Sequence, residues 1–473
     1  MKHLIFSLSL LTTTLSFAQQ GAGTLDQTFD SDGRVLLEQN LGTIPPTGEG
    51  DEFGTAIYSY SGSGDASMLV GGHAYHTNED TTDMFVTKIL HNGNIDTSFG
   101  FSGTEIIAFN RGTETHKDFL HDILVDDSGN IYAIGYAHFN NDDTDFAVAK
   151  LDSSGDPVLS FGTNGQKTIA FDNRGTNEDI AFSAIYTGGS IYIAGYAANS
   201  SGGTDISVTK ILASDGSLDT GFGTNGKLII DMGNSSRAYK ILHGFWILGS
   251  IDESDNSESP VIIKMNFNGS LDTSFSSDGK YVYNDSRDSF VNNAIKKPGS
   301  DEFIFVGYDN HQGSQDDDCA ITYINTVDTN AGEPVGDIFN FNLDPNLSKN
   351  SSCRDAVFTD PDFKLVLTGN IYPEDVSYIN MGVMRLNSIS VTNGTSSYSI
   401  ENNFGAYGNG RSDTTFNGVG SQVVNISYAV TIDPNDNVLL TGTATNNNAV
   451  EKIAVARLKG TGDNDIIFKN GFD

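Results

Sequence analysis

Short apolar runs alternate with turns along this chain, and the runs recur in a fixed series of four. Between residues 119 and 171 the series is complete. Phe119 to Val125 is an apolar run, strand A. It ends in Asp126-Asp127-Ser128-Gly129-Asn130, residues that hydrogen-bond their own backbone or accept a positive φ and so predict a tight turn. Ile131 to Tyr136 is strand B, Phe146 to Leu151 strand C, and Lys167 to Phe171 strand D. Runs such as Ile191-Tyr192-Ile193-Ala194 are apolar at both parities, the pattern of a strand covered on both faces. No stretch sustains the three-and-four apolar spacing of a long helix.

Strand B recurs seven times and always ends on glycine, at Gly72, Gly135, Gly195, Gly249, Gly307, Gly369 and Gly442. A glycine there marks a bulge or a close backbone approach, and recurrence at every copy makes it architectural. Strand C also recurs seven times. Six copies end on a basic residue and then an aliphatic or Met: Lys88-Ile89, Lys150-Leu151, Lys210-Ile211, Lys264-Met265, Arg385-Leu386 and Arg457-Leu458; the fifth has Tyr323-Ile324. A turn phrase follows, clearest in Leu218-Asp219-Thr220-Gly221-Phe222-Gly223-Thr224-Asn225-Gly226-Lys227. Variants start at Leu25-Asp26, Ile95-Asp96, Leu271-Asp272 and Ser412-Asp413, with a worn copy from Pro157 to Phe161.

A four-stranded unit buried on both faces and repeated at about sixty residues predicts a propeller blade. The first phrase has no A, B or C strand before it, and the last C strand, Ile453 to Leu458, has no phrase after it. Joining the two orphans gives an all-β, seven-bladed β-propeller of four-stranded antiparallel blades, closed by its N-terminal strand Arg34-Val35-Leu36-Leu37. Closure removes the exposed edges of an open array. Blade five has no recognisable phrase between Asn325 and Asp344, and its D strand is placed at Gly336 to Phe341. An insertion from Ser388 to Gly410 lengthens blade six; loops that outgrow their neighbours are where function concentrates.

The phrase, preceded by a Gly-ended strand and a Lys/Arg-Leu strand, resembles the delta-60 repeat of bacterial exported proteins. The resemblance covers almost the whole chain after its leader. It implies a propeller and an exported location, and no activity. Residues 465 to 473, Asp-Ile-Ile-Phe-Lys-Asn-Gly-Phe-Asp, resemble a short terminal tag of some exported proteobacterial proteins.

Lys2 and His3, the apolar run Leu4 to Phe17 and the small-x-small triplet Ser16-Phe17-Ala18 predict a signal peptide over residues 1–18. The propeller is then assigned to 19–458, with 19–40 completing the last blade, and a tail to 459–473. No later run is long enough to span a bilayer as a helix. The expected location is secreted, cell-surface or periplasmic.

Gly is abundant (52) and Pro scarce (10), which suits many tight turns, and 26 basic against 61 acidic residues give a net charge of −35. Such a surface repels nucleic acid and anionic headgroups. Oxygen-rich turns at Asp126–Asn130, Asn140–Asp143 and Asp316–Asp318 leave calcium open as a ligand, although none has the spacing of the twelve-residue calcium loop. Asx turns account for these residues without metal. His73, His76, His116, His121 and His138 lie in two neighbouring blades without metal-ligand spacing. No cofactor is expected otherwise. No nucleophile elbow, zinc-protease or phosphate-loop motif occurs.

Cys319 and Cys353 are expected at one rim and are predicted to be bonded, two separate thiols being the alternative. The basic residue ending strand C is predicted to pair with the phrase aspartate: Lys88 with Asp96, Lys210 with Asp219, Lys264 with Asp272, Arg385 with Asp413 and, across the closure, Arg457 with Asp26. The expected function is that of an exported non-enzymatic propeller, a binding or scaffold module for an unidentified protein or carbohydrate, favoured as a monomer. The alternative is a hydrolase or lyase of extracellular polysaccharide, with its site in the central channel or under the loops of blades five and six.

Overall fold

The computed structural model describes residues 22–37, 51–60, 67–75, 81–110, 117–140, 143–171, 177–254, 257–284, 289–310, 317–326, 335–344, 350–359, 362–372, 378–392, 395–404, 411–414, 423–445 and 450–460. Every regular element among them is a strand. Blade one runs Glu52–Ser59 (A), Met68–Tyr75 (B), Thr82–Ile89 (C) and Thr104–Ile107 (D), each antiparallel to the next. Blades two to five repeat the order, with A strands Asp118–Val125, Asp179–Thr187, Ser236–Leu242 and Ser289–Lys296. In blade five, strand D is Val335–Phe341.

Blade seven takes its outer strand from the start of the chain. Arg34–Leu37 lies antiparallel to Glu451–Leu458, with Arg34 opposite Ala456 and Leu37 opposite Ile453. The A strands of blades six and seven, Asn350–Phe358 and Val423–Ile432, complete a ring in which each A strand packs on both flanking A strands. The seven A strands therefore wall a central channel.

The core is divided among the seams. Seven apolar clusters each draw on two consecutive blades, the last joining Leu439, Ile453 and Val455 of blade seven to Met68, Val70 and Phe85 of blade one. This is why the strands read as apolar on both faces: each blade is a filling between two others.

The phrase also acts at the seams. Its Asp N–H bonds the strand C carbonyl, its Phe N–H bonds the Asp carbonyl, and its second Gly N–H bonds the Phe carbonyl, as in Asp96→Lys88, Phe99→Asp96 and Gly103→Phe99. The first Gly donates to the next blade: Gly100→Ser154, Gly162→Asp215 and Gly223→Asn268. The phenyl ring seats against a glycine of that next turn. A Cβ on Gly155 would lie 2.9 Å from the Phe99 ring, and one on Gly269 3.0 Å from Phe222.

Blade six corrects one sequence expectation. The segment containing Asp413 is not a phrase; Arg411–Thr414 is the outer strand, with Asp413 opposite Gly382. The phrase is Ile400-Glu401-Asn402-Asn403-Phe404. Glu401 N–H bonds the Arg385 carbonyl, Phe404 N–H bonds the Glu401 carbonyl, and Phe404 is fully buried. The insertion ahead of it is a hairpin, the overlong strand Tyr378–Thr392 turning back as Thr395–Ile400. The seam after blade five, whose sequence shows no phrase, carries a disulfide between Cys319 of strand C and Cys353 of the next strand A, with Cα atoms 4.7 Å apart.

Candidate functional site

Each A strand breaks register with strand B at one residue: Thr55, His121, Phe182, Tyr239, Asn292, Arg354 and Tyr428 in blades one to seven. This is a β-bulge, in which one residue is left unpaired and the strand kinks. The glycine ending strand B makes room for it. A Cβ at Gly72, Gly135, Gly195, Gly249, Gly307, Gly369 or Gly442 would fall between 1.7 and 2.0 Å from a strand A carbonyl oxygen, a distance no side chain tolerates. The recurring glycine thus supports a recurring bulge, which leaves one residue per blade unpaired on the innermost strand.

Some of these side chains hook onto the next blade. Thr55 Oγ1 donates to the Leu120 carbonyl (2.6 Å), and Asn292 Nδ2 donates to that of Cys353 (2.7 Å). His121 Nδ1 lies 3.0 Å from the Ala181 carbonyl, which places its proton on that nitrogen. The next residue repeats the device in two blades: Asp122 accepts from Ala184 N (3.1 Å) and Asp355 from Val430 N (2.9 Å). Asp355 also takes Asn293 Nδ2 at 2.8 Å.

The other feature is an unbroken line of rings. Tyr428 meets Phe53 edge-on at 6.5 Å, Phe53 stacks on His73 (5.1 Å), and His73 meets Phe119 (4.7 Å). Phe119 stacks on Tyr136 (4.9 Å), Tyr136 meets His121 (5.5 Å), His121 stacks on Phe182 (4.7 Å), and Phe182 leans on Tyr239 (5.7 Å). The line passes from blade seven through blade four, and every ring in it is partly exposed. Burial among apolar rings disfavours imidazolium. It holds His73 down to about 3, with the His121 charge adding to the shift, and His121 down to about 4. Both are neutral rings at neutral pH. Burial likewise raises the phenols of Tyr136 and Tyr239, so both keep their protons.

The line ends at a polar cluster in blade four. Arg237 reaches Glu258 at 3.0 Å and Asp252 at 3.2 Å, and the Tyr239 hydroxyl donates to Glu258 at 3.3 Å. Asn292 and Arg354 occupy the bulge positions of blades five and six, opposite the aromatic sector. The Arg354 guanidinium forms no ion pair among the described residues, and its buried Nε has no hydrogen-bond partner. Its charge is felt by the neighbouring Tyr428 phenol. The channel can therefore offer flat apolar faces, neutral imidazoles and one guanidinium. Among the described residues no group of three or more His, Cys, Asp or Glu side chains is arranged to hold a metal ion.

The residues singled out in the sequence lie elsewhere, at the phrase end of the blades. Lys88 and Asp96 are 3.1 Å apart, Lys210 and Asp219 2.6 Å, and Arg457 and Asp26 2.8 Å. Arg457 also donates to Thr28 Oγ1 and the His91 carbonyl, and lies over the Phe29 ring at 4.8 Å. Two expected pairs are corrected. Arg385 is held by Glu401 at 2.5 Å, because Glu401 and not Asp413 has the aspartate's place in the turn. Lys264 and Asp272 form no ion pair: the ammonium turns to the Gly244 carbonyl and lies 4.0 Å from the Trp246 ring centroid, while Asp272 accepts from Ser274. Lys150, whose phrase lacks the aspartate, donates to the Ala213 carbonyl at 2.7 Å.

His76 and His116 lie outside the described residues, as do residues 141–142 and 316 of the oxygen-rich turns. Asp126 is satisfied within its own turn, by Ser128 N, Asn130 N, Asn130 Nδ2 and the Tyr132 hydroxyl. The bulge residues escaped sequence reading because strand A was read only as apolar.

Comparison with known proteins adds a fold and little else. The model of a domain of unknown function, DUF5122 beta-propeller, matches residues 189–222. No curated protein matches. Among solved structures, a protein of unknown function from Dyadobacter fermentans is 10% identical over 90% of this chain and 98% of its own, with a TM-score of 0.39. A Pyrococcus horikoshii acylaminoacyl peptidase is 10% identical over 89% of this chain and 54% of its own, at 0.41. The periplasmic gluconolactonase of Pseudomonas aeruginosa is 8% identical over 88% of this chain and 98% of its own, at 0.38. Likeness at this level carries no argument about activity.

Proposed function

We propose that this chain is an exported, non-enzymatic repeat propeller that binds a ligand at the ring-lined wall of its central channel. The observation that carries the reading is the continuous line of partly exposed rings from Tyr428 to Tyr239, set on a rigid frame of bulges. Concave, largely apolar sites with a few fixed polar groups are the general form of small-molecule sites. The export half rests on the leader-like residues 1–18.

The rival, a polysaccharide hydrolase or lyase, needs a carboxylic acid kept protonated and free to reach substrate. Several of the carboxyls that burial raises are spent on the fold, while Glu105, pushed up to about 6, lies on the outer strand of blade one. Asp118, pushed up to about 7, accepts from Phe109 N, and Asp355, pushed up to about 6, accepts from Val430 N and Asn293. Glu258 is taken by Arg237, Tyr239 and Val291 N.

The test is a glycan panel on the purified protein, scored both for retention and for released reducing ends. Retention without turnover, lost in Phe182→Ala, is the expected result. Turnover of any glycan overturns the non-enzymatic reading, and retention unchanged in Phe182→Ala removes the channel from it.

A further inference from the structure

The polar gap in the ring points to a ligand class, and the argument rests on the channel-binding reading above. Among the described residues, Arg34, Arg237, Arg385 and Arg457 are each held by a carboxylate, and Arg411 donates to the Asn342 carbonyl. Arg354 has neither kind of partner, although the chain carries 61 acidic residues against 26 basic. Its position is nevertheless fixed. The bulge of blade six sets its backbone, Asn292 Nδ2 clamps the preceding Cys353 carbonyl at 2.7 Å, and the disulfide to Cys319 ties that same cysteine to blade five. A cation whose backbone is held this firmly, and which is matched to no anion among the described residues, is preorganised for an anion from outside.

The guanidinium fork fits a carboxylate through two parallel hydrogen bonds. The net charge of −35 works against any anion, and more strongly against a doubly charged phosphate than against a singly charged carboxylate. Tyr428, the first ring of the aromatic line, holds the bulge position of the next blade. A ligand spanning the two needs a carboxylate at one edge and a flat C–H face beside it. We infer that the channel binds a hexuronic acid unit, its carboxylate on Arg354 and its sugar face on the rings that begin at Tyr428.

Calorimetric titration of the purified protein with D-glucuronate, D-glucose and benzoate tests this. Glucuronate is expected to bind at least tenfold more tightly than either. Arg354→Met, which keeps the apolar stem and breaks no internal ion pair, should weaken glucuronate at least tenfold with an unchanged melting temperature, and Arg354→Lys should recover part of the loss. Equal binding of glucuronate and glucose, or unchanged binding by Arg354→Met, overturns the inference. Benzoate binding as tightly as glucuronate, or more so, overturns the sugar assignment. If Arg354→Met does not fold, the wild-type comparison of glucuronate with glucose decides alone. Neutral glycans retained in a Phe182-dependent way, with glucuronate silent, would sink this inference and leave channel binding standing; no retention of any ligand would sink both.

Discussion

Replacing Gly195 with alanine isolates the bulge that builds the channel wall. The new Cβ would sit 1.9 Å from the Ile180 carbonyl oxygen, 2.8 Å from its carbon and 2.9 Å from the Ala181 Cα. All three are backbone atoms in a hydrogen-bonded strand, so no side chain can swing aside. Relief requires strand A to lift from strand B, giving up the pairs Ile180–Tyr196 and Ala181–Gly195 and displacing Phe182. Loss of ladder bonds plus the disturbed seam puts the cost at roughly 3–5 kcal/mol, the range of severe core lesions. Gly188 in the same blade is the control. It has a φ of +59°, and a Cβ there would meet nothing within 4 Å. Its alanine variant carries only the left-handed penalty of about 1–2 kcal/mol. Urea denaturation followed by far-UV circular dichroism would compare the two midpoints. If Gly195→Ala costs no more than Gly188→Ala, the bulge is not what the strand B glycine serves.

Four further substitutions and one deletion probe the seams and the closure. Asp118 is buried, and its pKa rises from 3.8 to about 7 through desolvation and the nearby Asp83. Between about pH 4 and pH 7 the folded state holds a proton that the unfolded state releases, so stability falls as pH rises through that window, by roughly 4 kcal/mol in all. Asp118→Asn should melt higher than wild type above pH 7 and close to it only near pH 4; an unchanged difference across that window would refute the account. Arg385→Ala should cost roughly 3 kcal/mol by stripping Glu401 of a buried partner, moderated by Lys364 at 3.0 Å, whereas Lys88→Ala at a less buried pair should cost at most about 1 kcal/mol, both read by urea midpoints. Deleting residues 22–37 should bare the edge of Glu451–Leu458 and drive aggregation seen by light scattering, while Arg457→Ala stays monodisperse; a monodisperse deletion would refute closure by the N-terminal strand.

Much of this architecture was legible because each seam is written locally. The Asp and second Gly of the phrase bond close by in the chain, while its Phe and first Gly meet the same turn one blade on, so most copies repeat the same letters. Blade six shows the limit of that legibility. Ser412-Asp413-Thr414-Thr415-Phe416 looked like the phrase, yet Ile400-Glu401-Asn402-Asn403-Phe404 performs its role, since Glu401 offers the same carboxylate one methylene further out. Lys264 departed for a different reason: the Trp246 face and the Gly244 carbonyl outcompete Asp272 for its ammonium.

The sequence by itself determined the blade. Strands apolar at both parities demand a covering layer on each side, and a glycine at the end of every strand B announces a backbone that comes too close for a Cβ. It also determined the ring, because two orphan halves of one blade lie at opposite ends of the chain. The contents of the channel were decided by tertiary structure alone. Tyr428, Phe53, Phe119, Phe182 and Arg354 come from five blades, and their meeting depends on how many blades close the circle and on how each bulged strand sets its residues. Their ring contacts run both within a blade and across the seams, the repeated letters do not select them, and only the closed ring shows that they share one wall.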